Sequence, residues 1–154
     1  MKTSLHMVRE FHDGTNIVTP KFACIPDWTP EHAKTLEWAA RSLHAIANRL
    51  KMYGEHNGAP RCIVRGRIEI EELGEKLDAM ARYDLLGVFD GGLDGRYVGD
   101  GTMIETGLEP VFDEGMDLVH TSNMSKRFPD GTILKGPNYV PVNLQPLLAR
   151  VSKP

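Results

Sequence analysis

Cysteine is scarce in this chain of 154 residues: only Cys24 and Cys62 occur, with no CxxC pair and no spacing that suits zinc. A disulfide scaffold and a structural zinc site are therefore excluded as the basis of the fold, and two ordinary thiols in a reducing compartment are the expectation. Long apolar runs are missing too. No stretch approaches the roughly 18–20 residues that span a bilayer, so no membrane partner is expected. The opening "MKTSLHMVREFHDG" lacks the apolar segment of a secretory signal, which points to a cytoplasmic protein. Neither sign of charge dominates. A net charge of −3 leaves no electrostatic footprint for nucleic acid. There is no GxSxG, no Walker A lysine loop and no ligand-spaced cluster among His6, His12, His32, His44 and His56. Internal repeats, low-complexity tracts and sustained period-two alternation are also absent.

What remains reads as helix. The length suits one domain with a single core, and 41% hydrophobic with 25% charged residues is ordinary globular composition. A short helix is expected at "SLHMVREFH", followed by a proline-containing connector, "NIVTPKFACIPDW". In "WTPEHAK", Thr29 fits an N-cap, Pro30 the first turn and Glu31 the positive end of the helix dipole. Ala33, Leu36, Ala40, Leu43, Ala47 and Leu50 then recur at 3-4-3-4-3 spacing, a narrow apolar seam. An intramolecular packing face suits that seam better than a dimeric coiled coil, because alanines make weak knobs. The seam should end near Gly54, with "GEHNGAP" (54–60) as loop. Further helices are expected from Cys62 to Arg82, from Leu85 to Thr106, and from "EPVFDE" onward with Pro110 in the first turn. Residues 128–154, rich in proline and glycine, read as a loop-rich tail with a short hairpin near Asp130-Gly131. The fold class is all-α: antiparallel helices in a bundle with an irregular C-terminal tail.

The stretch "IEIEELGEKL" (68–77) holds four glutamates beside one lysine. At about 100° per residue, Glu71, Glu72 and Glu75 share a third of the helix circumference. Ile70, Leu73, Leu77 and Met80 point away. Lys76 stands four residues after Glu72, as in a helix-surface pair, whereas Glu71 and Glu75 are a like-charged i,i+4 pair. Alone, this face reads as solvated. Asp90 and Asp94 alter the weighting, since they share a face bordering an apolar stripe of Leu86, Phe89, Leu93, Tyr97 and Ile104. Carboxylates at such an edge are expected to be partly buried, where unpaired charge is costly. A hard divalent cation answers that cost: magnesium takes oxygen ligands and is held by one or two carboxylates together with substrate phosphates. "DGGLDGRYVGDG" (90–101) superficially matches a calcium loop, but Gly92 and Gly101 stand where that loop needs ligands.

These residues resemble the MazG-type all-α nucleotide pyrophosphohydrolases, related to phosphoribosyl-ATP pyrophosphohydrolases. "EELGE" (71–75) is similar to the family's first acidic motif, and "DGGLDGRYVGDGTMIETGLEP" (90–110) to its second. "VHTSNMSK" (119–126) and "DGTILKGPNY" (130–139) resemble the ending of phage and bacterial members, and "VREFH" (8–12) their opening helix. The resemblance covers roughly residues 5–28 and 61–148, with residues 30–60 as an added helical segment. It implies catalytic work for Glu71, Glu72 and Glu75. It implies metal binding by Glu72, Glu75, Asp90 and Asp94, with the family's usual glutamate replaced by Gly91. Asn123 and Lys126 match its polar pair near the substrate phosphates, and Lys135 in "LKGPNY" offers a further charge to phosphate. His120 reads as a packed or capping histidine.

The implied activity is magnesium-dependent hydrolysis, with manganese as a possible substitute. A nucleoside or deoxynucleoside triphosphate would give the monophosphate and pyrophosphate. The alternatives are a non-catalytic helical metal- or nucleotide-binding protein and, within the same chemistry, a phosphoribosyl-ATP pyrophosphohydrolase. Apolar stripes that few helices can cover, together with the resemblance, lead to the expectation of a homodimer or homotetramer. The many glycines of the Leu85–Thr106 helix, Gly91 among them, imply either marginal stability or a close backbone neighbour.

Overall fold

The computed structural model describes residues 2–15 and 17–152. Asn16, within the expected connector, and Met1, Lys153 and Pro154 lie outside the described residues. Among the described residues, six α-helices and one 3₁₀ turn make up the regular structure. They are α1 (Ser4–Asp13), α2 (Pro30–His56), α3 (Arg61–Ala81), α4 (Leu85–Glu105), the 3₁₀ turn Glu109–Val111, α5 (Phe112–Met124) and α6 (Gln145–Val151). Among the described residues the only β-type pairing is an isolated antiparallel bridge between Arg127 and Ile133. No described helix is long and apolar enough to cross a membrane. The chain forms two compact units, one of residues 20–102 and one of residues 1–19 with 103–154.

The first unit is organised by the hairpin of α2 and α3. Thr29 caps α2 as its sequence implies: its side chain accepts the His32 amide at 3.1 Å, and Pro30 opens the first turn. Ala33, Ala40, Ala47 and Gly54 are the buried residues of α2. The seven-residue repeat of small side chains lets α3 approach closely, and Gly74 and Ala81 are buried on α3 at the same spacing. The leucines of the expected seam, Leu36, Leu43 and Leu50, are only half-buried. The hairpin's open end is pinned by Trp28, whose indole N–H donates to the Met80 and Ala81 carbonyls at the end of α3 (3.0 and 3.3 Å). Its ring meets Tyr83 edge-on. Residues 30–60, expected as an added segment, are half of this core.

The helix runs on through Gly54 to His56, so the expected loop over 54–60 shrinks to residues 57–60. The helix continues because Asn57 donates its side-chain amide to the Tyr53 carbonyl at 2.7 Å, tying off the last turn. Positive φ angles at Gly58 and Ala59 then reverse the chain.

In the second unit, α1 packs on α5, with Met7 buried. His120 is the packed histidine expected, its Nε2 3.3 Å from Glu10. The tail is less irregular than its proline content suggests. Asn143 accepts the Gln145 amide at 3.1 Å and Pro146 sits in the first turn, so "QPLLARV" forms α6. Leu147 is buried, and Arg150 pairs with Glu114 of α5 at 2.8 Å. The turn at Asp130-Gly131 is present, Gly131 taking φ +83° and Asp130 accepting the Thr132 amide at 2.9 Å.

Candidate functional site

Of the four glutamates in "IEIEELGEKL", Glu71 and Glu72 are half-buried, whereas Glu69 and Glu75 are exposed. α3 turns Gly74 toward α2, where a Cβ would stand 3.0 Å from the His44 ring. Glu72, two residues earlier, stands about 160° round α3 from Gly74, on the side of the buried Ala79. Its carboxyl is pushed above the ordinary glutamate value, first by burial and then by the negative charges of Glu75, Asp94, Glu71 and Asp90. Four carboxylates from α3 and α4 thus act on Glu72 within the first unit.

Their partners differ. Glu71 is held by Arg67 one turn earlier. Among the described residues, Glu72, Glu75, Asp90 and Asp94 have no basic partner within 4.0 Å. Lys76 does not close on Glu72 as the i,i+4 spacing suggests. Its backbone and Cβ press against Gly91 of α4, where an added Cβ would meet Lys76 Cβ at 3.0 Å and Cα at 3.2 Å. Gly91 is buried, so the position where the resemblance calls for a glutamate has no room for a side chain. The close backbone neighbour expected for this glycine-rich helix is Lys76.

Asp90 and Asp94 are not partly buried; both are exposed. The reason is that α4 turns its apolar stripe outward as well: Leu86 is 77% exposed, Phe89 65%, Leu93 55% and Tyr97 81%. The calcium-loop reading of residues 90–101 is excluded by geometry, because α4 is a continuous helix through all twelve.

Oxygen donors with mutually unfavourable negative charge fit magnesium by charge and ligand type. Among the described residues, however, no three His, Cys, Asp or Glu side chains converge into a ready cage.

The basic and amide residues lie in the second unit. Lys126 Nζ donates to Asn123 Oδ1 at 2.7 Å, so the pair matched by resemblance is in contact. Lys126 also stands 5.8 Å from the Tyr139 ring centroid, and Lys135 stands 5.1 Å from it. "SNMSK" and "KGPNY" meet as one cluster: Ser122 Oγ donates to the Val140 carbonyl at 2.7 Å, and Ser125 Oγ accepts the Val140 amide at 2.9 Å. Tyr139 and the two serines carry no assignment from sequence, although an aromatic four residues after the lysine of "LKGPNY" is a readable signal. The same unit holds an apolar cavity of about 600 Å³ between α5 and α6, walled by Met103, Phe112, Met116, Val119, Leu144 and Leu148.

No family model, no curated protein and no solved structure matches the chain.

Proposed function

We propose that the protein is a magnesium-dependent nucleoside triphosphate pyrophosphohydrolase, acting on NTPs or dNTPs. The observation that supports this most is Glu72: half-buried, with no basic partner among the described residues, and raised first by burial and then by four neighbouring carboxylates. A fold that keeps such a group forgoes an easy ion pair, and perturbed carboxylates of this kind mark functional sites. Glu72, Glu75, Asp90 and Asp94 would hold the metal. Magnesium bound there would neutralise polyphosphate charge and lower the pKa of a coordinated water. Glu71, kept by Arg67 near the others, would tune their charge, and a carboxylate released from the ion would accept the water's proton. In the other unit, Lys126, Asn123 and Lys135 are the positions that the resemblance assigns to phosphate, donors of the kind that phosphate oxygens accept. Self-association into a dimer or tetramer would cover the outward stripe of α4.

The test is pyrophosphate release from a panel of NTPs, dNTPs and phosphoribosyl-ATP with magnesium or manganese. Release from at least one substrate is expected, together with a loss of about 10²-fold or more in Glu72→Gln. No release above background, with Glu72→Gln indistinguishable from wild type, would leave a non-catalytic nucleotide-binding protein instead.

A further inference from the structure

We infer that Arg65 and Thr102 are positioning residues of the acidic site: with Glu69 they latch the end of α4 to the start of α3, and so hold Asp90 and Asp94 up to the glutamates of α3. The bonds of the latch stand by themselves, and its consequence for a metal rests on the reading above.

Arg65 Nε donates to Thr102 Oγ1 at 3.1 Å, and its Nη2 donates to the Val98 carbonyl. The Thr102 hydroxyl in turn donates to Glu69 Oε1. One half-buried hydroxyl thus links a guanidinium to a carboxylate, and both of its bonds are charge-assisted. The guanidinium reaches the α4 backbone because position 101 has no side chain: a Cβ on Gly101 would stand 2.7 Å from Arg65 Nη2. Glu69, the glutamate of "IEIEELGEKL" that the proposed chemistry does not use, finds its role in this latch.

α4 has little else to fasten this end. Among the described residues its buried one is Gly91, and its apolar stripe faces outward. Toward its start, α4 rests on α3 through glycines. A Cβ on Gly87 would come within 2.8 Å of Ala79 Cβ, and Gly91 lies against Lys76. The contacts run antiparallel, Ala79 with Gly87, Lys76 with Gly91, then Arg65 with Val98 and Thr102. Glu72 and Asp94 fall between the glycine contacts and the latch. There Asp90 and Asp94 bring like charge to Glu72, and without a cation that repulsion pushes the two helices apart. Glycine contacts bury little apolar area to oppose it, whereas the charge-assisted bonds resist separation.

Amide hydrogen exchange on the metal-free full chain reads the latch directly. Arg65→Gln and Thr102→Val should each lose about tenfold or more of the protection across residues 85–102, with residues 30–56 unchanged. Thr102→Ser, which keeps the hydroxyl, should stay within about twofold of wild type. A magnesium titration by calorimetry then reads positioning. With α4 docked in about one molecule in five to one in ten, apparent affinity falls by the same five- to tenfold factor, and saturating magnesium restores the protection. Protection unchanged in both variants, or lost equally over residues 30–56, overturns the latch. So does a Thr102→Ser protein as loose as Thr102→Val. Magnesium bound as tightly by the loosened variants as by wild type overturns the positioning role. Loosened variants together with no magnesium binding by wild type would retain the latch and reject the metal site on which the hydrolase reading depends. Magnesium binding by wild type with unchanged protection in the variants would do the reverse.

Discussion

At the scale of single residues, Glu72 ties the chemistry to stability. Its carboxyl titrates higher in the folded protein than the usual glutamate value of 4.5. As pH rises from that value through the raised one, the native state still binds a proton that the unfolded chain has lost, so stability falls across this window. The metal-free protein should therefore unfold at a lower temperature at neutral pH than its carboxylate count alone implies. Glu72→Gln should raise the metal-free midpoint, seen by calorimetry at pH 7, and blunt the gain on adding magnesium. On the proposed reading, that gain in wild type would be about 2.7 kcal/mol at 100 times the dissociation constant. A Glu72→Gln protein less stable than wild type without metal would contradict this account. Gly91 makes an opposite case. Gly91→Ala should cost about 1–3 kcal/mol in urea unfolding, because the new methyl meets Lys76 backbone and Cβ. Gly91→Glu, made to restore the acidic residue that the resemblance calls for, should lose activity and stability together.

Among the helices, stability rests on small residues and caps. Thr29→Ala should cost about 1 kcal/mol, since the His32 amide loses its acceptor. Leu147→Ala should cost about 2–5 kcal/mol by enlarging the space between α5 and α6. Chemical denaturation checks both. The sequence discloses α1 to α5 well: Thr29-Pro30 and the 3-4 seam fix α2, and the outlines of α3 and α4 agree to within one residue. α6 is not legible in the same way, because four prolines and two glycines in residues 129–146 mask a seven-residue helix whose start depends on one Asn143 side-chain bond. The acidic site is partly legible. Spacing brings Glu71, Glu72 and Glu75 to one face, and the i,i+4 pairing of Arg67 with Glu71 is legible in the same way, but nothing along α3 tells that Lys76 is pressed against Gly91 rather than paired with Glu72. Long-range packing decides the place of Lys76, and periodicity along one helix cannot report it.

For the whole molecule, the outward stripe of α4 is the main unsolved cost. Leu86, Phe89, Leu93 and Tyr97 on one helix face exceed the scattered exposure normal for a monomer. Sedimentation velocity at micromolar concentration should show a dimer or tetramer, and Phe89→Glu should shift it toward monomer. A monomeric wild type would leave the stripe without a partner of its own kind.

The placement of Trp28 gives the two units different optical signatures. Both tryptophans, Trp28 and Trp38, lie in the unit of residues 20–102, and Tyr139 is the one tyrosine of the other. Trp28 is half-buried and bonded to the end of α3, whereas Trp38 is exposed on α2. Emission excited at the red edge of the absorption band therefore reports the α2–α3 hairpin alone. Iodide would quench Trp38 first and leave a blue-shifted component from Trp28 that disappears only when the hairpin opens. Ellipticity lost while that component persists would identify melting confined to the unit of residues 1–19 and 103–154.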